Sequence, residues 1–220
     1  MPETLQFKKE ESKTVLELEA KVESLETENA ELKEENEELR LALERAGIDQ
    51  LTSLFRLEKF KTEVDELIKR LNPISPEKGQ SVLRAVVIFR IDVNKFKKFN
   101  EKPYNHAVGD KALRTVSFRL IRSTKQGDIL GRVGGDEFSI AMPIYNDDVD
   151  FEDLARDFKD RINNDLLLEY GNNSLPITVS SGYSVVLKGQ RKNAEQLLKE
   201  ADLAERAEKA ASEVQEDYSI

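Results

Sequence analysis

Cysteine is absent from the 220-residue chain, and histidine occurs once, at His106. Without thiols there can be no disulfides and no thiolate metal sites. A single histidine argues against a His-based metal cluster and against a Ser-His-Asp triad. No apolar run reaches the length of a membrane span or a signal peptide. Positive charge is in deficit, since 34 Lys and Arg face 43 Asp and Glu, for a formal net charge of −9. That sign argues against general binding to nucleic-acid polymers or to an anionic membrane surface, although local basic patches could still hold phosphates. A soluble, cytoplasmic protein is expected.

What is present is unevenly spread. Charged residues make up 35% of the chain, and the first fifty positions are mostly Glu, Lys and Leu, whereas apolar strand-like runs begin only near Val86. From Val15 a heptad repeat runs unbroken. Val15, Val22, Asn29, Asn36 and Leu43 fall at a, and Leu18, Leu25, Leu32, Leu39 and Ala46 fall at d. Val or Asn at a with Leu at d favours two parallel strands, and a buried Asn pair fixes their register. Lys21 opposite Glu26, Glu28 opposite Lys33 and Glu35 opposite Arg40 give g-to-e′ pairs of opposite sign. The expectation is a parallel homodimeric coiled coil over residues 1–48 and one domain of ordinary size over 49–220.

After Gly47, Asp49 is expected to cap a helix from Gln50 to Arg70, ended by Asn72-Pro73, with a polar loop from Pro76 to Gln80. Arg84 to Ile91 is a buried-strand pattern that runs into Asp92. Helical spacing covers Ala107–Ser123, Phe151–Leu168 and Ala194–Val214, and a further strand pattern covers Ile177–Leu187. Two strands, Asp128–Val133 and Glu137–Pro143, flank Gly134-Gly135-Asp136, where the Gly pair would supply the positive φ of a tight hairpin. The order β-α-β-β-α-β-α predicts an α+β fold: a mostly antiparallel βαββαβ sheet with helices on one face.

Three carboxylates then fall at strand ends or turns: Asp92, Asp136 and Glu137. Adjacent acids behind two glycines repel each other, and a divalent cation would relieve that repulsion. In a βαββαβ sheet the first strand neighbours the hairpin strand, so Asp92 would come close to Asp136. An oxygen-only site of this kind suits magnesium, with substrate phosphates as further ligands, and points to phosphoryl or nucleotidyl transfer.

Gly134-Gly135-Asp136-Glu137-Phe138 resembles the signature of the GGDEF family, the diguanylate cyclases. Asp49-Gln50-Leu51-Thr52, the run from Asp92 to Asn100, His106-Ala107-Val108-Gly109-Asp110, and Ala201-Asp202-Leu203-Ala204 with Lys209 resemble further family landmarks at matching spacing, over residues 49 to about 211. The resemblance implies a palm-like domain in which two GTP molecules, one per protomer, condense to cyclic di-GMP and two pyrophosphates. It implies that Asp92 and Glu137 hold Mg2+ (or Mn2+), with the Val93 carbonyl as a further ligand. Asp136 would be the catalytic acid, as metal ligand or as base for the attacking 3′-hydroxyl. Gly134 and Gly135 would lie against the nucleotide, Asn100 and Asp110 would read guanine, and Phe96, Lys97 and Lys209 would contact phosphates. Lys125, Asp128 and Arg132 stand at the inhibitory product site, in degraded form, because Lys125 replaces the arginine of Arg-x-x-Asp.

The sequence departs from the family pattern in places. Asn94 replaces an Asp. One extra residue separates Asn100 from His106, and Asn105 replaces a Gly. Arg56-Leu57-Glu58 replaces Asn-Arg-Arg, Glu205-Arg206 replaces Leu-Tyr, and Glu213 replaces a phosphate-binding Arg. Two readings follow: an active cyclase dimerised by its coil, or a degenerate domain that binds GTP or cyclic di-GMP and signals without catalysis.

Overall fold

The computed structural model describes residues 3–71 and 82–217, with side chains for 16, 18–71 and 82–211. The expected stop at Asn72-Pro73, the loop from Pro76 to Gln80, and the side chains of Val15 and Glu213 lie outside the described residues. The chain divides into two compact units, Met1–Ala46 and Gly47–Ile220.

The first unit is one helix, α1 (Glu3–Arg45). Its heptad stripe is uncovered: Leu18, Val22, Leu25, Leu32, Leu39 and Leu43 are 39–58% exposed. Asn29 and Asn36 donate to the Leu25 and Leu32 carbonyls of their own helix at 3.0 and 2.7 Å. No helix among the described residues is long and apolar enough to cross a membrane.

The second unit runs β1 (Phe55–Arg56), α2 (Leu57–Leu71), β2 (Ala85–Val93), α3 (Lys97–Asn100), α4 (His106–Ser123), β3 (Ile129–Arg132), β4 (Glu137–Ile144), α5 (Phe151–Asn163), β5 (Leu167–Tyr170), β6 (Asn173–Pro176), β7 (Val179–Leu187) and α6 (Ala194–Asp217). The main sheet has the order β1-β3-β4-β2-β7. Only the short β1–β3 pair is parallel, and β2 lies between β4 and β7 as expected of βαββαβ connectivity.

Helices cover both faces of the sheet rather than one. Alternation along β2 sends Val87, Phe89, Ile91 and Val93 towards Val116 and Leu120 of α4 and Phe158 and Ile162 of α5. Val86 and Ile88 point the other way, towards Phe60, Val64 and Leu67 of α2 and Leu197 and Ala201 of α6. A strand that is apolar on both sides needs two such layers.

Two helices are shorter than their sequence patterns. No helix starts at Gln50. Asp49 instead closes a turn through the Thr52 amide and hydroxyl at 2.9 and 2.6 Å, and α2 begins only after β1. Helix α5 stops at Asn163 because that side chain binds the Val179 backbone at 2.8 and 3.1 Å. The Arg119 guanidinium also takes the terminal carbonyls of Arg161, Asn164 and Asp165. The residues beyond form the β5–β6 hairpin, whose first residues, Leu167 and Leu168, fall within the expected helix.

Candidate active site

Strand register places the acids. Asp92 lies opposite Glu137 across the antiparallel β2–β4 pair, and the Val93 amide donates to the Asp136 carbonyl at 3.2 Å. Directly opposed residues share a face, so Asp92 and Glu137 both project to the side covered by α6. Burial, then the charges of Asp92 and Glu137, push the Asp136 carboxyl above the ordinary range.

Each cross-strand acid is held by a base. Lys209 of α6 bonds Asp92 Oδ1, and Arg90 meets Glu137 Oε2 at 2.5 Å. Arg90 also lies 3.8 Å from Asp202, which pairs with Arg206 at 3.0 Å. Beside them opens a shallow cleft of about 430 Å3, lined in part by Arg90, Val133, Glu137, Asp202 and Arg206.

The hairpin is built differently from the expected tight turn. The positive-φ glycines among the described residues are Gly47, Gly127, Gly171 and Gly189, not the hairpin pair. What Gly134 supplies is room, since a Cβ there would stand 2.0 Å from Glu137 Oε2. Gly135 has open space on its Cβ side. Arg132 fastens the turn by donating to the Gly135 carbonyl at 3.0 and 2.6 Å and to Asp49 at 3.2 and 3.3 Å.

Gly109 lets Asn100 pack against the start of α4. The Asn100 amide lies so close to that backbone that a Cβ would fall 2.1 Å from its Oδ1. Asp110, the next residue along α4, is exposed. The extra residue before His106 is taken up in a turn closed by Tyr104 N to Glu101 O at 2.8 Å. Asn105, in place of Gly, caps α4 by accepting from Val108 N.

Other expected site residues, except Arg132, are engaged elsewhere. Phe96 packs against the core. Lys97 is exposed and pairs with Glu101 at 3.3 Å. Lys125 and Asp128 close their own turn, Lys125 N to Asp128 Oδ2 at 2.8 Å, while Arg132 is engaged at Asp49 and the hairpin.

Among the described residues no group of three or more His, Cys, Asp or Glu side chains is close enough to hold a metal by itself. The candidate ligands nevertheless fit a hard divalent cation: Asp92 and Asp136 repel one another, and Asp92, Asp136 and Glu137 all offer carboxylate oxygen. Arg90 is not among the residues the sequence points to, and Asp202 enters there only as part of the Ala201–Ala204 landmark. The signal for Arg90 was its charge inside the apolar run Val86 to Ile91.

Residues 46–215 match the family described as diguanylate cyclase, GGDEF domain. The chain belongs to the GGDEF family. It is 32% identical over 166 residues to response regulator PleD of Caulobacter vibrioides, covering 73% of this chain and 33% of that protein. It is 29% identical over 171 residues to the probable diguanylate cyclase DgcT of Escherichia coli K12, covering 76% and 34%. The GGDEF chain thus spans about a third of the length of these curated relatives. Its fold matches the coiled coil and GGDEF domain of DgcB from Caulobacter crescentus, solved with c-di-GMP, at TM-score 0.60 and 25% identity, covering 86% of this chain and 95% of that one. The GGDEF domain of DgcB alone gives 0.62 at 25% identity over 76% and 89%.

Proposed function

We propose that this GGDEF protein is a diguanylate cyclase that condenses two GTP into cyclic di-GMP and two pyrophosphates, with two heads brought together by a parallel α1 coiled coil. The observation that carries this reading is the Asp92–Glu137 register with Asp136 at the adjoining turn. Asp92, the Val93 carbonyl, Asp136 and Glu137 would hold Mg2+ or Mn2+, which supplies charge neutralisation at the phosphates when bound. Asp136 serves as ligand or as base for the 3′-hydroxyl. Asn100 and Asp110 read the guanine edge, Gly134 and Gly135 leave the hairpin backbone free for the nucleotide, and Lys209, Phe96 and Lys97 contact phosphates.

A second reading, a nucleotide-binding module without turnover, draws on the bases that already neutralise Asp92 and Glu137. Incubation with GTP and Mg2+ followed by nucleotide chromatography separates the two. Cyclic di-GMP and pyrophosphate are expected. Asp136→Asn keeps the shape and removes the charge, so turnover should fall by about two orders of magnitude or more. GTP retained but unconverted by the unaltered chain would establish the second reading instead.

A further inference from the structure

Helix α6 carries an acid that the proposed mechanism does not use. Glu205 is 5% exposed, and its Oε1 has no hydrogen-bond partner among the described residues. Burying a carboxyl oxygen without a partner is unfavourable, and an apolar side chain would fill this place without that cost. The helix cannot lift to release it cheaply. Gly182 of β7 lets α6 lie so close that a Cβ there would stand 2.0 Å from the Glu205 amide nitrogen.

Glu205 precedes Lys209 by four residues, so the two share a helix face in the favourable acid-before-base order. Lys209 is bonded to Asp92. Burial acts to lower the Lys209 pKa, but Asp92, then Glu205 and Asp136, outweigh it and hold the ammonium firmly charged. The same arrangement recurs one turn earlier. Arg90 lies on Glu137 at 2.5 Å and has a second acid of α6, Asp202, at 3.8 Å.

We propose that Glu205 is the seat that receives the Lys209 ammonium when a divalent cation takes Asp92. This rests on the reading of Asp92 as a cation ligand. A cation arriving at Asp92 displaces Lys209, and two positive charges left together in a partly buried crevice would repel strongly. The free Oε1 of Glu205 accepts the displaced ammonium and keeps it beside the site, available to a phosphate. Asp202, already paired with Arg206 at 3.0 Å, is the second acid within reach of Arg90.

The test is Mn2+ alone, titrated into the full chain with free Mn2+ read by electron paramagnetic resonance, so no turnover is needed. Glu205→Leu should raise the Mn2+ dissociation constant about tenfold, because the displaced Lys209 then loses its acidic acceptor beside the site. Glu205→Gln keeps an acceptor without the charge and should give a smaller rise; it also serves if the leucine variant misfolds. Lys209→Met should tighten Mn2+ binding, and in that background Glu205→Leu should change it by less than about twofold. Equal weakening in both backgrounds would make Glu205 a cation ligand and overturn the seat, as would no effect of either Glu205 variant in the parent chain. Asp92→Asn sets the baseline: if it binds Mn2+ as the parent does, the cation reading of Asp92 falls and the seat with it.

Discussion

Asp49 shows how one carboxylate can join distant parts of the domain. It accepts from Thr52 within its own turn and from Arg132, whose other nitrogens hold the hairpin carbonyl of Gly135. Burial acts to raise its pKa, but the Thr52 hydroxyl and the Arg132 charge outweigh that and hold it below the ordinary carboxylate range. For a depressed acid, the stabilisation is present above the unfolded value and is lost as pH falls through the folded one. Asp49→Ala should therefore lower Tm at pH 7 by roughly 3–6 °C. The gap to the parent should begin to narrow only as the pH falls below the ordinary carboxylate value and go on narrowing through Asp49's lowered one, in melts taken from pH 7 to 3; a gap independent of pH would contradict this role. Asp110 acts at the same scale. As an acceptor it suits the N1 and N2 hydrogens of guanine and meets an acceptor at N1 of adenine, so GTP should be strongly preferred to ATP. Competition assays showing equal turnover of both would mean that the altered Asn100–His106 loop has displaced it.

At the scale of elements, the turn from Lys125 to Asp128 closes on itself through Lys125 N to Asp128 Oδ2 and Asp128 N to Lys125 O at 3.1 Å. Burial raises the Asp128 carboxyl. Lys125 is exposed, and lysine cannot make the planar, bidentate contact of a guanidinium with guanine and phosphate. Arg132, in the strand that follows, is already committed to Asp49 and Gly135. Feedback by cyclic di-GMP should therefore be weak, and Lys125→Arg should strengthen it at least about tenfold. A submicromolar inhibition constant for the parent chain would count against this account.

For the whole molecule, the proposed reaction needs two heads, because each nucleotide's 3′-hydroxyl must attack the α-phosphate of the other. A parallel coil would raise their effective concentration to roughly millimolar. The last core positions, Leu43 and Ala46, lie only a few residues before Asp49. Inserting seven residues near Arg45 preserves the phase of a coil with about 3.5 residues per turn, whereas inserting four adds about 50° of rotation. The two insertions should differ clearly in cyclase activity. Charged residues at Leu25 and Leu32 should make activity depend steeply on protein concentration. Equal activity for both insertions, or full activity from a dilute monomer, would remove the coil as the element that sets the active geometry.

Local patterns in the sequence determined a good deal of this protein. The helix α1, the apolar run of β2 and the strands around Gly134-Gly135 follow from short-range periodicity, and the place of Asp92 beside them follows from the order of the elements, which dictates βαββαβ pairing. Only the tertiary structure decided the rest. Asn163 and Arg119 ended α5 early because their partners, Val179 and the Asn164 and Asp165 carbonyls, lie across the fold. Asp49 became a bridge rather than a helix cap because Arg132, 83 residues away, reaches it. Glu205 and Lys209 stand four residues apart on α6, but nothing local links Lys209 to Asp92 or Arg90 to Glu137 and Asp202. Those pairs form because β2, β4 and α6 come together, with α6 lying close over β7 where Gly182 allows it, and charges partly buried there must find partners among whatever the fold brings near.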